Sequence, residues 1–441
     1  MIRVGVGGRA VIGVGALPPV VCGLTKQGHR FLTSLAIADP SSAAVGLLLR
    51  KFVSSTSKHV ALTTLSHLLS PSTTSHSRLY SSIALPLYTV IKQEPWFSWN
   101  GKLVADLIAF LYKQGRYDES EELFAETIVK LGLRERELCI FLCHLVESHG
   151  DHKSQKGVFL SSEKLGQLLL HSRSGYVKRR GYASMVAGFC EIGLPDKAEA
   201  LIGEMREIGL KPSAFEFKSI VYGYGQMGFL QEMKRVVTVM EGEGYELDTV
   251  CCNMVLASFG EHGELLDMLW WLKKMRDSGI PFSIRTYNSV LNACPTVMAM
   301  IRDTKKLPLM MDELVASLKR DEADVVLELL KSNVLDQVME WKASELSLDL
   351  HGMHLSSVYL VLMQWFGELR RRFAAGNFVT PADVLVICGV GRHSSTRGES
   401  PVRNLAKEIV VRMECPLRID RKNIGCFIGK GSKLKDWLTM S

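Results

Sequence analysis

Between positions 179 and 294 the apolar residues recur on the step of a helix. Tyr182, Met185, Val186 and Phe189 lie three or four apart, and Ala198, Leu201, Ile202 and Met205 repeat that spacing. Residues so placed share one helical face. Gly193 and Gly209 stand where a glycine closes a helix, and Lys211-Pro212 stops the chain from continuing as one. Asp196 is expected to cap the second helix. The two helices make a hairpin, and the hairpin is copied. Tyr182, Phe217, Cys252 and Tyr287 lie thirty-five residues apart, and three other sets keep that interval: Gly193, Gly228 and Gly263; Met205, Met240 and Met275; Gly209, Gly244 and Gly279. One period shared by several residue types marks a stacked unit that buries its apolar face only against its neighbours.

The units run 179–213, 214–248 and 249–283, and a fourth starts at Ile284 and loses the pattern after Cys294-Pro295. Upstream, Gly115 and Gly150 are also thirty-five apart, and Leu123-Phe124 stand where Leu201-Ile202 do. That predicts two divergent units at about 101–170, within a segment 94–178. Gly150 and Gly193 are forty-three apart, so about eight extra residues interrupt the array near 154–175. Residues 295–345 read as amphipathic helices that cap the stack and link it to the next domain.

From 346 the step changes. Leu346-Ser347-Leu348-Asp349-Leu350-His351-Gly352 alternates apolar and polar residues, the period of a half-buried strand. The leucines face a core, and Asp349 and His351 share the other face at the strand's carboxyl end. A helix is expected at about 356–373 and a second strand at 384–388. That strand runs into Gly389-Val390-Gly391-Arg392-His393-Ser394. Ser400 caps a helix that starts at Pro401, a favourable first position. Short strands near 417–419 and 425–428 complete a β-α-β-α-β-β order over 346–441. The fold class expected is an α-helical solenoid of helix-hairpin repeats followed by a small α/β sandwich domain.

Charge refines this picture, because the net +7 is unevenly placed. Residues 1–93 hold nine basic residues against one acid, Asp39, with Ser and Thr crowded between Ser54 and Ser82. That composition is expected for an organelle transit peptide and disordered segment, chloroplast before mitochondrion. Residues 179–283 hold eleven bases against fifteen acids, and residues 346–441 hold fourteen against eight. The basic excess thus sits at the two ends. No stretch reads as an integral membrane segment. The ten cysteines form no Cys-x-x-Cys pair, so buried free thiols in a reducing compartment are expected.

The repeats resemble pentatricopeptide repeats. The matching residues are Tyr287-Asn288, Cys252-Asn253, Gly209-Leu210-Lys211-Pro212 and Gly244-Tyr245-Glu246-Leu247-Asp248. The resemblance implies single-stranded RNA binding at about one base per repeat, read by side chains on the first helices. It pairs Ala183 with Ser213, Lys218 with Asp248, and Asn253 with Ser283, and it places Asn288 at the next reading position. Only Asn253 with Ser283 has the donors and acceptors of a usual reader, here for a pyrimidine; Lys218 and Asp248 suit an ion pair. A solenoid that holds a protein partner, in an organellar expression complex, or that orients the last domain is the other use of such a stack. The −4 balance of the clearest units favours it.

The last segment resembles the small MutS-related domain, through Leu348-Asp349-Leu350-His351 and Cys388-Gly389-Val390-Gly391-Arg392-His393-Ser394, with Cys388 where that family carries Thr. The resemblance implies nucleic-acid binding, often with metal-dependent endonuclease activity, and the whole chain resembles a plant organellar protein that joins the two modules. From the residues, Asp349 either holds a divalent ion such as Mg²⁺ or orients His351, and His351 is an acid or base near neutral pH. Arg392, His393 and Arg397 suit a phosphate grip, with Gly389, Gly391 and Ser394 in the same loop. Lys430, Lys433 and Lys435 flank Gly429 and Gly431 and read as a second phosphate-contacting loop. His354 reads as structural or solvated. Two functions stay open: an RNA endonuclease in RNA processing, or a non-catalytic expression factor whose last domain clamps nucleic acid.

Overall fold

The computed structural model describes residues 24–37, 43–71, 78–303, 307, 310–390 and 400–440. They fall into two compact units, Met1–Met227 and Gly228–Ser441.

The first unit is helical throughout its described residues. It opens with α1 (Lys26–Ile37), α2 (Ala43–Ser55), α3 (Lys58–Leu69) and α4 (Arg78–Lys92). The expectation of disorder up to residue 93 is therefore corrected. Leu35, Ala61, Leu65, Leu87 and Ile91 are fully buried, and Phe31 stacks on Phe52 with ring centroids 3.9 Å apart. Helix α1 packs on α3, and α2 on α4. The hydroxyl-rich composition concealed the helical spacing of Leu65, Leu68 and Leu69, which decides the structure. Any transit segment in residues 1–23 lies outside the described residues.

Next come α5 (Gly101–Lys113), α6 (Tyr117–Leu131), α7 (Glu135–Asp151), α8 (Gln155–His171), α9 (Gly175–Glu191), α10 (Pro195–Glu207) and α11 (Ala214–Gln226). Helices α5, α7, α9 and α11 pack in succession. The expected eight-residue interruption is not a loop. Helices α7, α8 and α9 have 17 residues each where α5, α10 and α11 have 13, so the extra chain lengthens helices by a turn. Gly150 consequently lies inside α7, and Lys153 (φ 51°) takes the left-handed turn expected of it. Asp196 is not a cap either. Helix α10 starts at Pro195, whose fixed φ suits that position, and Asp196 in the first turn accepts from the Tyr224 hydroxyl at 2.7 Å.

The second unit begins with α12 (Leu230–Gly242), α13 (Thr249–His262), α14 (Leu265–Asp277), α15 (Ile284–Asn292) and α16 (Pro295–Arg302). Gly228, Gly244, Gly263 and Gly279 all have φ between 68° and 82°, which is why the period is written in glycine. Three short helices follow: α17 (Met311–Ser317), α18 (Arg320–Leu330) and α19 (Val334–Val338). The chain then enters β1 (Met339–Trp341), β2 (Glu345–Asp349), α20 (Leu355–Ala374), β3 (Asp383–Ile387), α21 (Pro401–Arg412), β4 (Arg418–Ile419), β5 (Cys426–Lys430) and α22 (Gly431–Met440). The sheet order is β1-β2-β3-β5-β4, with β2 and β3 parallel and the other pairs antiparallel. Leu346, Leu348 and Leu350 are at most 1% exposed, as the alternation requires. Tyr359, Trp365 and Phe366 on α20 are likewise at most 1% exposed. The edge strand β1 and the helix α22 were not foreseen. Among the described residues no helix is long and apolar enough to cross a membrane.

Candidate functional site

The three unit-ending residues share one local role. Ser213 caps α11, Asp248 caps α13 and Ser283 caps α15. The Ser213 hydroxyl accepts from Phe215 N at 3.2 Å, and the Asp248 carboxylate from Cys251 N at 2.8 Å. Each satisfies a backbone N–H left open at a helix start. Ala183 is half-buried on α9 and Lys218 half-buried on α11 in the first unit, whereas Asp248 belongs to the second.

Asn253 and Ser283 are brought together. Asn253 Nδ2 donates to Ser283 Oγ at 3.1 Å, and Asn253 Oδ1 accepts from Thr286 Oγ1 at 2.8 Å. Thr286 Oγ1 in turn accepts from Ser283 N at 2.9 Å, so the cap of α15 also fixes the amide of α13. One N–H and one lone pair of the amide remain, on its outer sides, because Ser283 Oγ and Thr286 Oγ1, 3.2 Å apart, occupy the edge between Nδ2 and Oδ1. Thr286, fully buried, was missed; its signal was the Ser-x-x-Thr spacing at the unit boundary.

Asn288, expected at the next reading position, is 8% exposed and has three of its four hydrogen-bonding positions taken. Its Nδ2 donates to Gly352 O at 2.8 Å, and its Oδ1 accepts from His354 N at 2.9 Å and Ser357 Oγ at 2.7 Å. It faces the start of α20 and not an open surface. His354 is exposed yet bonded: Asn292 Nδ2 donates to its Nδ1 at 2.6 Å, and partial burial of the ring lowers its pKa.

Asp349 and His351 meet at the carboxyl end of β2. Asp349 Oδ1 accepts from His351 N at 2.9 Å and from His351 Nδ1 at 2.8 Å. A carboxylate only accepts, so Nδ1 carries a proton and Nε2 is the nitrogen left for chemistry. Gly389 has φ 77°, and a Cβ there would lie 3.1 Å from that Nε2, so the loop after β3 runs against the imidazole. Both side chains are more than half exposed. Cys388 is buried, and its thiol is pushed up to about 12, first by burial and then by Cys426 and Asp349. Gly391, Arg392, His393, Ser394 and Arg397 lie outside the described residues.

Three cations at this end of the sheet were missed. Ile387 pairs with both Asp349 and Cys426, so the turn preceding β5 sits at the same end and exposes Arg421 and Lys422. Arg403, in the first turn of α21, donates to Ile424 O at 3.4 Å and opposes the upward shift at Cys388. The carboxyl ends of parallel strands are where open α/β sheets bind ligands. Lys430 and Lys433 are not part of this cluster. Lys430 pairs with Asp383, at the opposite end of β3, about 13 Å from Ile387 at the strand rise. Its ammonium bonds Asp383 at 2.6 Å. Nor is there a loop, because β5 passes directly into α22 with Lys433 in its first turn. Gly431 has a packing role: a Cβ there would lie 1.7 Å from Pro381 O.

Among the described residues no three His, Cys, Asp or Glu side chains gather as a metal set. Both hydrogen bonds from His351 to Asp349 use Oδ1, so Oδ2 is the oxygen that would meet an ion there. Cys139, Cys143, Cys190, Cys251, Cys252, Cys294, Cys388, Cys415 and Cys426 are all buried free thiols.

Comparison with known proteins bears on the repeats. A family model described as PPR repeat matches residues 182–210, and one described as Pentatricopeptide repeat domain matches 235–296. A pentatricopeptide repeat-containing protein of Arabidopsis thaliana is 49% identical over 428 residues, 96% of this chain and 83% of that protein. A second from the same plant, named as chloroplastic, is 24% identical over 198 residues, 45% of this chain and 38% of its own length. This chain therefore spans well under two thirds of that second relative. The solved pentatricopeptide repeat protein PPR10 from maize overlaps 87% of this chain and 58% of its own, at 16% identity and a TM-score of 0.34, too low to bear on the fold.

Proposed function

This chain belongs to the pentatricopeptide repeat protein family, and on that premise we propose that it binds single-stranded RNA in a plant organelle, the chloroplast first. The observation that carries this reading is the amide of Asn253, held by Ser283 and Thr286 with one donor and one acceptor left over. Either group can bond a base edge that approaches it. The last domain resembles the small MutS-related domain and acts on the same RNA. Asp349 holds His351 so that Nε2 takes the proton from an attacking hydroxyl, and Arg403, Arg421 and Lys422 grip phosphate. A divalent ion such as Mg²⁺, when bound at Asp349, supplies charge stabilisation on that phosphate. The reaction class is metal-assisted phosphodiester cleavage in RNA processing.

A second reading keeps RNA binding and removes cleavage. It is favoured by Cys388, where the resembling family has a hydroxyl and this chain has a buried thiol. The two part on one experiment: labelled organellar RNA incubated with the protein, with and without Mg²⁺, beside Asp349→Ala and His351→Ala. Cleavage by the parent that both variants lose, with binding kept, supports the nuclease. Binding without cleavage in any divalent ion leaves a clamp, and no binding at all refutes both.

A further inference from the structure

Asn288 stands at the same place in its repeat as Asn253, thirty-five residues on, yet its surroundings differ completely. All three of its bonds go to the chain between Gly352 and Ser357. Asn292, one turn further along α15, bonds His354 Nδ1 and accepts from Ser356 Oγ at 3.0 Å. Ser356 and Ser357 are fully buried. The start of α20 has no cap of its own, because the side chain of its cap residue, His354, bonds no N–H of the first turn. Two asparagines from another helix hold this start instead, through the N–H and ring of the cap residue and the hydroxyls of Ser356 and Ser357. The turn they hold begins one residue after His351.

We propose that Asn288 is a positioning residue: it clamps the Gly352–His354 turn and thereby fixes His351 against Asp349, and the base-reading track ends at Asn253 and Ser283. The fourth repeat has exchanged a contact with RNA for a contact with the neighbouring α/β domain. The part concerning RNA rests on the function proposed above; the clamp does not. His354 N has Asn288 Oδ1 as its acceptor, so removing that oxygen opens this amide directly.

The test is amide hydrogen exchange and imidazole nitrogen NMR on the full chain, comparing the parent with Asn288→Ala and Asn288→Asp. In Asn288→Ala, exchange at His354 rises at least tenfold while amides of α13 keep their parent rates. The His351 signals change from a fixed Nδ1–H pattern to an averaged one, which a merely structural loss elsewhere would not produce. Asn288→Asp keeps the acceptor and loses the donor to Gly352 O, so it falls between; it also stands in if the alanine variant does not fold. Selection of bound RNA from a randomised pool should return the parent preference for Asn288→Ala and an altered one for Asn253→Ala. Unchanged exchange at His354 overturns the clamp, and a base preference lost with Asn288 makes it a reader. If the parent binds no RNA, the proposed function and the track's end fall together, while the exchange rates still decide the clamp.

Discussion

Asn253→Ala isolates base reading from everything else the repeats do. The amide uses one N–H on Ser283 and one lone pair on Thr286, which leaves one of each for a base. A single hydrogen bond from such a group to a base is worth about 0.5–1.5 kcal/mol, or roughly 2- to 13-fold in Kd for the preferred base. The folding cost is smaller, because Ser283 and Thr286 remain bonded to each other after the amide is gone. Thr286→Val separates holding from reading. It leaves Asn253 in place but removes the hydroxyl that aims it, a loss of about 1 kcal/mol, and weakens the preferred RNA about fivefold. Both are measured by fluorescence anisotropy on RNAs that differ at one position, at one fixed salt concentration, because phosphate contacts vary with salt. If Asn253→Ala binds every RNA as the parent does, the stack holds a protein and does not read bases.

Tyr287 is fully buried, and its hydroxyl lies 3.0 Å from Leu329 O and 3.1 Å from Ser332 Oγ; Tyr287→Phe should cost about 1–2 kcal/mol in urea unfolding. Gly431→Ala places a methyl against Pro381 O and should cost about 1–3 kcal/mol, with RNA affinity unchanged; lost affinity at parent stability would restore the phosphate-loop reading. His149 is buried against Gly157, and burial lowers its pKa to about 4. The unfolded chain binds that proton below about 6.5 and the folded chain only below about 4, so stability falls as pH drops between those values, by roughly 3 kcal/mol. His149→Phe should flatten that stretch of the pH–stability curve; a curve with the parent's slope refutes the assignment.

The hairpins from α9 onward were legible because their period is enforced by backbone geometry. A helix that ends in the left-handed region needs glycine, and Gly193, Gly228 and Gly263 each have φ of 76° or 77°. The leucine alternation of β2 was legible for a similar reason, since one face is sealed. What failed was whatever depended on distant packing. Helices α1 to α4 carry basic, hydroxyl-rich outer faces, and composition weighed those faces above Leu35, Leu65 and Ile91 inside. Lys430 and Lys433 read as a second phosphate-contacting loop because glycines flanked them. Strand direction sends them to the other end of the sheet, and only the pairing of Asp383 with Lys430 reveals it.

Asn253 and Asn288 show why a repeat position has no fixed meaning. The two residues share identity, place and period, and sequence assigns them one role. A side-chain amide, however, is worth what its neighbours leave unpaired. Beside Asn253 stand a cap serine and a threonine, which take half of its hydrogen-bonding capacity and fix its direction. Beside Asn288 stand a helix start and a buried serine, which would otherwise lack partners, and an unpaired buried donor costs about 1–3 kcal/mol. That cost opposes any exchange of the contact with Gly352–Ser357 for a contact with RNA. The end of the track is thus set by the first repeat whose reading face meets protein, here α15 against α20. Moving the end by one repeat requires both new acceptors for His354 N and Ser357 Oγ and a freed amide, and a substitution at Asn288 alone supplies neither.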